Sequence, residues 1–424
     1  MGERFATRWG LLAAALGMAI GTGNIWRFPR VCAQNGGGAF LIPWVLFLLL
    51  WSIPLLAAEF TIGRRTRKGL FGAFAQTAGR NTGWLGGFVA MTTFLILSYY
   101  AVVTGWCMGY IVKSLFSWQA VTADPKAVLE QFSTDPFSKI GFQAAAVLLT
   151  AGVVFRGVVR GVEKINKLLI PCIAVLLVIL AVKAVSLPGS ELGLKYLFVP
   201  DFSYLLKPRT WLEALSQSAW STGAGWGLML VYATYAGRRE SAAFVSLATG
   251  IGNNLASIVA AAAIVPTLFA LMPGSEAAMT VIKGGNQGLA FISLPGLMAR
   301  MAGGQVFSTL FFVALFFAAF SSLISMFEMG VRTLSDFSMG RKKAVAAVSI
   351  FAFVAGLPSA LSMDVFNNQD WVWGLGLIVS GLIFSIALWK SGFGRFFGKS
   401  ADAGKGLFNI RTPDIPSREN IPWG

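Results

Sequence analysis

The sequence predicts an all-α protein that crosses a membrane many times, and three observations lead to this fold class. Of its 424 residues, 56% are hydrophobic and only 12% are charged. The mean hydropathy of +0.69 is far from that of a soluble domain. Apolar runs of roughly 20 residues, long enough to cross a bilayer as a helix, recur along the chain. The chain has no histidine, which excludes histidine-based catalysis and metal binding.

These runs predict ten helices, numbered here helix 1 to helix 10. Their predicted ranges are 9–33, 39–63, 84–114, 140–156, 162–186, 209–236, 241–270, 302–337, 342–361 and 371–391. Because five is an odd number, a second group of five helices enters the membrane from the side opposite to the first. The sequence therefore predicts two halves of inverted topology, residues 1–186 and 187–391, followed by a polar, glycine-rich cytoplasmic tail over 392–424.

The positive charge of the chain is distributed unevenly. The formal net charge is +16, and with a cytoplasmic N-terminus most Lys and Arg residues fall on cytoplasmic segments, including "RRTRK" (64–68) and "GRKK" (340–343). This bias follows the positive-inside rule and predicts a multi-pass protein of the inner (cytoplasmic) cell membrane with both termini in the cytoplasm. It also argues against nucleic-acid binding. The three scattered cysteines predict neither a metal site nor a disulfide framework.

Glycines interrupt helix 1, in "GMAIGTGNIWRFPR" (17–30), and helix 6, in "STGAGWG" (221–227). Each glycine inside a helix costs about 1 kcal/mol relative to alanine. Interrupted helices at matching positions of two inverted halves indicate a binding site at mid-membrane, where the breaks expose backbone amides and carbonyls. Close packing of helices through small residues is the alternative explanation, and the matched pair disfavours it.

Five further stretches carry a resemblance to a known family. They are "GNIWRFPR" (23–30), "NGGGAFLIPW" (35–44), "SYYAVVTGW" (98–106), "KGGNQGLAFISLP" (283–295) and "LFFAAFSSL" (315–323). In order and spacing, from about residue 3 to 391, they resemble the neurotransmitter:sodium symporter family. The resemblance implies a five-plus-five inverted-repeat transporter fold with broken helices 1 and 6. Members of the family usually have further helices after the tenth, so this chain is expected to be a natural or truncated short form.

For function, the resemblance implies a sodium-coupled amino-acid symporter in the lipid bilayer, working by alternating access. An enzyme is disfavoured, because the predicted spans contain no nucleophile–base pair and no metal cluster. The alternative is an amino-acid sensor or a channel-like protein on the same scaffold. Such a protein would keep the ligand pocket but would lack coupled transport.

The resemblance implies two sodium sites made of neutral oxygens, which suit a hard monovalent cation that must be released again. The first would use the carbonyl of Ala19 and the side chains of Asn24, Ser221 and Asn253, with Asn254 as an adjacent alternative. The second would use the carbonyls of Gly17, Ile20 and Ala318 and the hydroxyls of Ser321 and Ser322. Hydrogen bonding of these two serines to their own helix is the alternative.

The same resemblance implies the substrate pocket. The amides of Gly21, Thr22 and Gly23 and the hydroxyl of Tyr100 would bind a carboxylate. Monoamine transporters of the family carry Asp at the position of Gly21, so glycine favours an α-amino acid. The substrate side chain would meet Ile96, Trp220, Ser221, Gly223, Trp226, Leu323 and Met326, nearly all apolar. These residues favour a hydrophobic L-amino acid.

Alternating access also requires gates. The resemblance implies an outer pair of Arg27 with Asp370 at the start of helix 10, and a lid of Trp220 and Tyr100. On the inner side Asp336 matches the family acid, and Arg4 is the expected partner because the usual arginine position is Gly2. Gly161 and Pro171 on helix 5 have the spacing associated with unwinding. Glu59 and Glu328, two acids within spans, are expected to anchor the broken helices by hydrogen bonds.

A chloride site is an additional expectation from the resemblance. Ser257 lies four residues after Asn253 on the same face of helix 7, and chloride-dependent members carry serine at this position. Gln217, Ser221, Asn253 and Ser257 would surround the anion, and Trp44 replaces the tyrosine that usually completes the site. Two alternatives stay open: a nearby acid supplies the negative charge, or Ser257 simply packs against helix 6.

Overall fold

The computed structural model describes residues 3–237, 240–272 and 274–390, and these residues are almost entirely helical. Within these described ranges, eight helices are long and apolar enough to cross a membrane: Gly38–Thr66, Arg80–Phe116, Pro136–Phe155, Val158–Val185, Ala242–Leu271, Gly304–Ser335, Arg341–Leu361 and Met363–Lys390. They correspond to helices 2 to 5 and 7 to 10. The predicted tail, 392–424, lies outside the described residues.

Helices 1 and 6 are both broken, as the glycines predict. Helix 1 consists of Arg8–Ala19 and Gly23–Gln34, which meet at 53°. Helix 6 consists of Pro208–Thr222 and Leu228–Thr234, with the five residues 223 to 227 between them. Three of these five are glycines with positive φ (72° to 90°), a conformation that side-chain-bearing residues rarely adopt. The predicted all-α fold with broken helices 1 and 6 is therefore confirmed.

The helices differ in how deeply they lie in the bundle. In the most apolar windows of helices 3 and 8, 72% and 78% of the residues are buried inside the protein. The corresponding share is 33% for helix 5 and 39% for helices 4, 9 and 10. Helices 3 and 8 therefore form the centre of the bundle, next to the broken helices. The apolar residues exposed on the peripheral helices are those expected to face lipid.

Shorter helices connect the spans. The main ones are Leu70–Ala78, Trp118–Ala123, Pro125–Thr134, Ser190–Phe198, Ser275–Lys283 and Leu294–Met298. The last two belong to the loop between helices 7 and 8, where Phe291 packs against Trp26 and Trp106 with ring centroids 5.8 and 6.3 Å apart. This aromatic contact joins the loop to helices 1 and 3, beside the break of helix 1.

Helix 10 begins earlier than predicted, and this changes the position of Asp370. The helix starts at Met363, so Asp370 lies about two turns inside it instead of at its start. The polar stretch "MDVFNNQD" (363–370) is helical because Phe366 is buried against Trp106 and Tyr99, at centroid distances of 4.9 and 5.6 Å. Tertiary packing therefore outweighs the polarity of the local sequence.

Helix 5 begins with an irregular turn. Residues Val158–Glu163 form a π-helical segment that precedes the regular helix Lys164–Val185. It contains Gly161, whose backbone lies against the carbonyl of Val153 so closely that a side chain there would clash. Such segments are rare in helices and often mark functional sites. The geometry is compatible with the local unwinding that Gly161 and Pro171 predict.

Candidate functional site

The backbone amides freed by the break in helix 1 donate hydrogen bonds to side chains. The helix ends at Ala19, and Ile20 takes an extended conformation. The amide of Gly21 donates to Oδ1 of Asn24 at 2.9 Å, and the amide of Thr22 donates to the hydroxyl oxygen of Tyr100 at 3.1 Å. Gly21 therefore binds Asn24 in this structure, although the sequence assigns its amide to a ligand.

The hydroxyl oxygen of Tyr100 accepts hydrogen bonds at the break. Its oxygen accepts from the amide of Thr22 and lies 3.2 Å from the hydroxyl of the same residue. A phenol has one proton to donate and two lone pairs to accept with. With the lone pairs directed at Thr22, the proton of Tyr100 is available to an acceptor in the cavity. A carboxylate is such an acceptor.

The four predicted side-chain and backbone groups of the first sodium site lie together and are buried. Nδ2 of Asn24 lies 2.7 Å from Oδ1 of Asn253, and Nδ2 of Asn253 lies 3.1 Å from Oγ of Ser221. The Oδ1 position of Asn253 also lies 2.7 Å from the carbonyl oxygen of Ser221 and 3.1 Å from that of Ala19. Oxygens this close repel one another unless the amide turns or a cation lies between them. The oxygens of Ala19, Ser221 and Asn253 fit sodium. Asn24 instead directs its nitrogen to Asn253 and its oxygen to the amide of Gly21.

The groups of the second predicted sodium site meet where helix 8 crosses the break of helix 1. Oγ of Ser322 lies 3.3 Å from the carbonyl oxygen of Gly17. A side chain on Gly17 would contact Cβ of Ser321 at 3.3 Å. Oγ of Ser321 donates to the carbonyl of Ala318 at 3.0 Å, so it also bonds to its own helix. The fifth residue, Ile20, is buried at the end of the inner half of helix 1.

A cavity of about 650 Å³, including its opening, lies between the two breaks. Its wall contains the following predicted residues: Ala19, Gly21, Thr22, Gly23, Asn24, Arg27, Tyr100, Trp220, Ser221, Trp226, Ser322, Met326 and Asp370. The sequence-based prediction missed Met18, Trp26, Tyr99, Val103, Leu228, Asn286, Gln287 and Phe366, which also line it. The cavity thus combines the exposed backbone of helix 1 with a mostly apolar wall.

Three residues of the predicted pocket are not on the cavity wall. Ile96 and Leu323 are fully buried in the core and do not line the cavity. Gly223 has no side chain, and its left-handed conformation places the nearest atom, the terminal methyl carbon of Met18, 3.7 Å from an added Cβ. The side chain of Met18 therefore lies beside Gly223.

The outer gate residues line the same cavity without a direct ion pair. Arg27 and Asp370 both lie on its wall, but the structure records no contact within 4.0 Å between them among the residues described. The guanidinium of Arg27 instead donates to Gln217 at 2.5 Å and to Ser216 at 3.0 Å. It also lies 5.9 Å from the ring of Trp220. The side chain of Arg27 is therefore held by polar contacts that it can exchange for others.

The inner gate differs from the prediction. Asp336 accepts hydrogen bonds from the amides of Gly69 and Gly72, at 2.8 and 2.9 Å, at the start of the helix Leu70–Ala78. The structure records no ion pair between Asp336 and Arg4 among the described residues, so the expected pair is not formed in it. Asp336 binds backbone instead.

Glutamates hold the N-terminal segment against helix 5. Glu163 on helix 5 accepts from the amide of Ala6 at 2.7 Å and from the hydroxyl of Thr7 at 3.0 Å. Glu3 accepts from the amide of Val158 at 3.0 Å. The segment before helix 1 is therefore fastened to the irregular turn of helix 5. Acids at these positions were not singled out, because nothing in the local sequence pairs them.

The two intramembrane acids have different roles. Glu59 accepts from the amides of Gly225 and Leu230, at 2.6 and 3.3 Å, so the prediction that it anchors a broken helix is confirmed for helix 6. Glu328 accepts instead from the hydroxyl of Tyr235 at 2.7 Å and pairs with Arg341 at 2.6 Å. Glu328 therefore joins the residue after helix 6 to helix 9 and does not bind a freed amide.

Most residues of the expected chloride site are engaged with one another or with the gate. Ser257 accepts from Nδ2 of Asn24 at 2.8 Å, and Gln217 binds Arg27 and the carbonyl of Gly23. The indole N–H of Trp44 is buried and has no hydrogen-bond partner among the described residues. Its ring lies against Phe28 at a centroid distance of 4.3 Å. A donor without a partner is what an anion would satisfy.

Comparison with known proteins identifies the family. The description "Sodium:neurotransmitter symporter family" matches residues 2–135 and 129–399. An uncharacterized sodium-dependent transporter of Methanocaldococcus jannaschii is 33% identical over 92% of this chain and 82% of its own. The uncharacterized sodium-dependent transporter YhdH of Bacillus subtilis is 32% identical over 86% of this chain and 80% of its own.

The fold also matches a solved structure. The crystal structure of MhsT in complex with L-phenylalanine superimposes with a TM-score of 0.82 and 31% sequence identity, covering 93% of this chain and 95% of that one. Three findings agree on the family. The family description matches most of the chain, the relatives are named as transporters, and the solved structure has the same fold. The chain belongs to the sodium:neurotransmitter symporter family, and it is a sodium-dependent membrane transporter rather than an enzyme.

Proposed function

We propose that the protein couples the inward movement of sodium to the uptake of hydrophobic L-amino acids by alternating access. The observation that carries this proposal is the cavity at the helix breaks. One end has the backbone of residues 21–23 and the hydroxyl of Tyr100, which suit a carboxylate. The rest of the wall, including Met18, Val103 and Trp226, suits an apolar side chain.

Two further points support an α-amino acid as the substrate. Gly21 contributes no negative charge, so the cavity lacks, at that position, the acid that would bind the amine of a monoamine. The similar protein MhsT was solved with L-phenylalanine bound. The aromatic pair Trp220 and Trp226, with centroids 5.4 Å apart in an edge-to-face arrangement, gives this cavity an aromatic wall.

We further propose two sodium sites, formed by the residues described above. Sodium, when bound, would supply a positive charge beside the substrate carboxylate and between helices 1 and 8. The chain's own part is to bring neutral oxygens together: those of Ala19, Ser221 and Asn253 at the first site, and those of Ser321 and Ser322 at the second. Asn24 also binds the amide of Gly21 on the cavity wall, which links the first site to the substrate.

The topology proposed from charge completes this account. Both termini lie in the cytoplasm, residues 1–186 and 187–391 are the two inverted repeats, and the membrane is the inner cell membrane. The cavity with Arg27 and Asp370 then opens outward, while Glu3 and Glu163 hold the inner end closed. Loss of these inner contacts would open the site to the cytoplasm.

Transport into reconstituted vesicles tests this proposal. Purified protein in proteoliposomes is given each of the twenty amino acids in turn, with an inward sodium gradient or with choline in its place. We expect accumulation above equilibrium for hydrophobic amino acids, and only with the sodium gradient. Binding without accumulation would support a sensor, and equilibration without concentration would support a channel. Preference for charged amino acids would contradict the substrate class.

A further inference from the structure

Asn166 is a buried polar residue on helix 5 that none of the predicted sites includes. Its side chain is fully buried, and its Nδ2 donates to the carbonyl oxygen of Val162 at 2.9 Å. Its Oδ1 is also buried but has no hydrogen-bond partner among the described residues. A buried acceptor without a partner costs free energy, so the position requires an occupant that the protein itself does not provide.

The orientation of this amide is determined by its neighbour. A carbonyl oxygen can only accept a hydrogen bond, so the nitrogen of Asn166 must face Val162. Turning the amide would place two oxygens against each other at that point. Oδ1 is therefore the atom directed to the opposite side, away from Val162 and from the backbone of helix 5.

On that side, Oδ1 reaches the break of helix 1. A Cβ added to Gly17 would lie only 2.0 Å from Oδ1 of Asn166 and 3.3 Å from Cβ of Ser321. The same glycine offers its carbonyl to Oγ of Ser322 at 3.3 Å. Three helices, 1, 5 and 8, thus meet at Gly17, and each brings an oxygen-bearing group. Glycine is required at this position because the amide of Asn166 occupies the space of a side chain.

We propose that Oδ1 of Asn166 is an additional oxygen donor to the second sodium site, contributed by helix 5. The inference rests on the proposed function. A neutral amide oxygen belongs to the ligand type that hard cations accept, and it adds no charge that would hinder release. The cation would satisfy the one atom of Asn166 that the protein leaves without a partner.

This position also connects the cation to the irregular turn. Val162, which accepts from Nδ2 of Asn166, lies within the π-helical segment Val158–Glu163. A cation that holds Oδ1 fixes the side chain and thereby keeps Nδ2 on the carbonyl of Val162. When the cation leaves, the side chain is freed, and the turn loses a hydrogen bond that opposes its opening. Asn166 would then be both a cation ligand and a positioning residue for helix 5.

Two substitutions test the oxygen and the nitrogen of the Asn166 amide separately. Asn166→Ser keeps a donor that can bond the carbonyl of Val162, four residues earlier, but it is too short to reach Gly17. Asn166→Asp keeps an oxygen directed at Gly17 but loses the nitrogen that binds Val162. Thr150→Val is the matched control, because Thr150 is equally buried on helix 4 and bonds only the carbonyl of Ala146, at 2.7 Å.

The readout is the sodium concentration that gives half-maximal thermal stabilisation of the purified full-length protein without amino acid, measured also with lithium. We expect Asn166→Ser to raise this concentration about tenfold and to change the lithium-to-sodium ratio. Asn166→Asp is expected to stay within about threefold of the wild type, and Thr150→Val to equal it. Cation selectivity is a property that a purely structural hydrogen bond to Val162 would leave unchanged.

The outcomes distinguish this inference from the proposed function. If sodium does not stabilise the wild-type protein, both the inference about Asn166 and the proposed function are overturned. A wild-type protein that responds to sodium, together with an unchanged response in Asn166→Ser, overturns the role of Asn166 alone. A higher half-maximal sodium concentration in Asn166→Asp but not in Asn166→Ser would also overturn the role of Asn166 as a cation ligand. The bond to Val162 would then be the whole function of the side chain.

Discussion

The two broken helices differ in what receives their freed backbone amides. At the break of helix 1, neutral side chains do so: Asn24 binds the amide of Gly21, and Tyr100 binds that of Thr22. At the break of helix 6, the fully buried carboxyl group of Glu59 binds the amides of Gly225 and Leu230. Neutral acceptors can exchange these amides for a ligand at modest cost, whereas a buried carboxyl group cannot leave its donors cheaply.

This difference indicates a division of labour between the breaks. The break of helix 1 contributes residues 21–24 to the cavity wall and also reaches both predicted sodium sites. The break of helix 6 is fastened to helix 2 by Glu59 and to helix 3 by Thr93, which donates to the carbonyl of Trp226 at 2.8 Å. We therefore expect the break of helix 1 to exchange its contacts for ligands, and the break of helix 6 to form a fixed wall of the cavity.

The largest expected effect comes from placing a charge at the binding break. Gly21→Asp would put a carboxylate within reach of Tyr100 and Ser322, whose side-chain oxygens lie 2.8 and 2.9 Å from an added Cβ. A second negative charge beside the substrate carboxylate in a low-dielectric site costs several kcal/mol. We expect no measurable amino-acid binding by scintillation proximity assay.

Gly21→Ala is the control for the added Cβ alone. Because that Cβ is crowded but uncharged, we expect affinity to fall only about tenfold, or roughly 1.4 kcal/mol. Wild-type affinity in a folded Gly21→Asp variant would show that the amino acid does not bind at this break.

The next largest effect is expected at the anchor of helix 6. Glu59→Gln replaces one acceptor oxygen by an NH₂ group, which then faces the N–H of either Gly225 or Leu230. Leaving a buried donor unsatisfied costs about 1–3 kcal/mol. We therefore expect the free energy of unfolding to fall by roughly 3 kcal/mol and the midpoint of thermal unfolding to be lower. Glu191→Gln, at an exposed acid, is the matched control and should change little. An unchanged midpoint in Glu59→Gln would contradict the fixed-wall role.

A smaller effect is expected for Tyr100→Phe. The variant loses the hydroxyl that accepts from Thr22 and is available to donate to a carboxylate. A hydrogen bond to a charged group contributes about 1.5–3 kcal/mol, so we expect amino-acid affinity to fall roughly 10- to 100-fold. Tyr110→Phe on the same helix is the control, since the Tyr110 hydroxyl has no partner among the described residues. Equal affinities in the two variants would argue against a carboxylate at Tyr100.

The smallest expected effect concerns the anion. Ser257 binds Asn24 of the first sodium site, and the indole N–H of Trp44 has no described partner. If chloride balances the charge of sodium there, transport in proteoliposomes should fall when gluconate replaces chloride, and Ser257→Glu should transport independently of chloride. Full transport by the wild type without halide would exclude the chloride hypothesis and favour an acid elsewhere.

The sequence predicts most of the fold because hydrophobic length and glycine placement are local signals. All ten predicted segments are helical in the structure, and the breaks occur where glycines interrupt helices 1 and 6. The start of helix 10 is not predicted, since its polar first two turns are helical only through the burial of Phe366. No local pattern reports that contact.

The site is predicted less completely, because its walls are set by contacts between distant segments. Tyr100 and Trp226 line the cavity as expected, but Ile96 and Leu323 face the core. The partner of Asp336 depends on how the loop at Gly69 packs, which the sequence does not show. Asn166 was missed because its significance lies in an oxygen without a partner, and such an atom is visible only in three dimensions.

The most direct test of the central claim is the mutual dependence of amino-acid and sodium binding. Radiolabelled amino acid is bound to purified protein across a sodium series, with lithium, potassium or choline as the replacement cation. If both ligands meet at the break of helix 1, binding should require sodium, and the factor by which sodium raises amino-acid affinity must equal the factor by which the amino acid raises sodium affinity. Equal binding in choline would contradict the account.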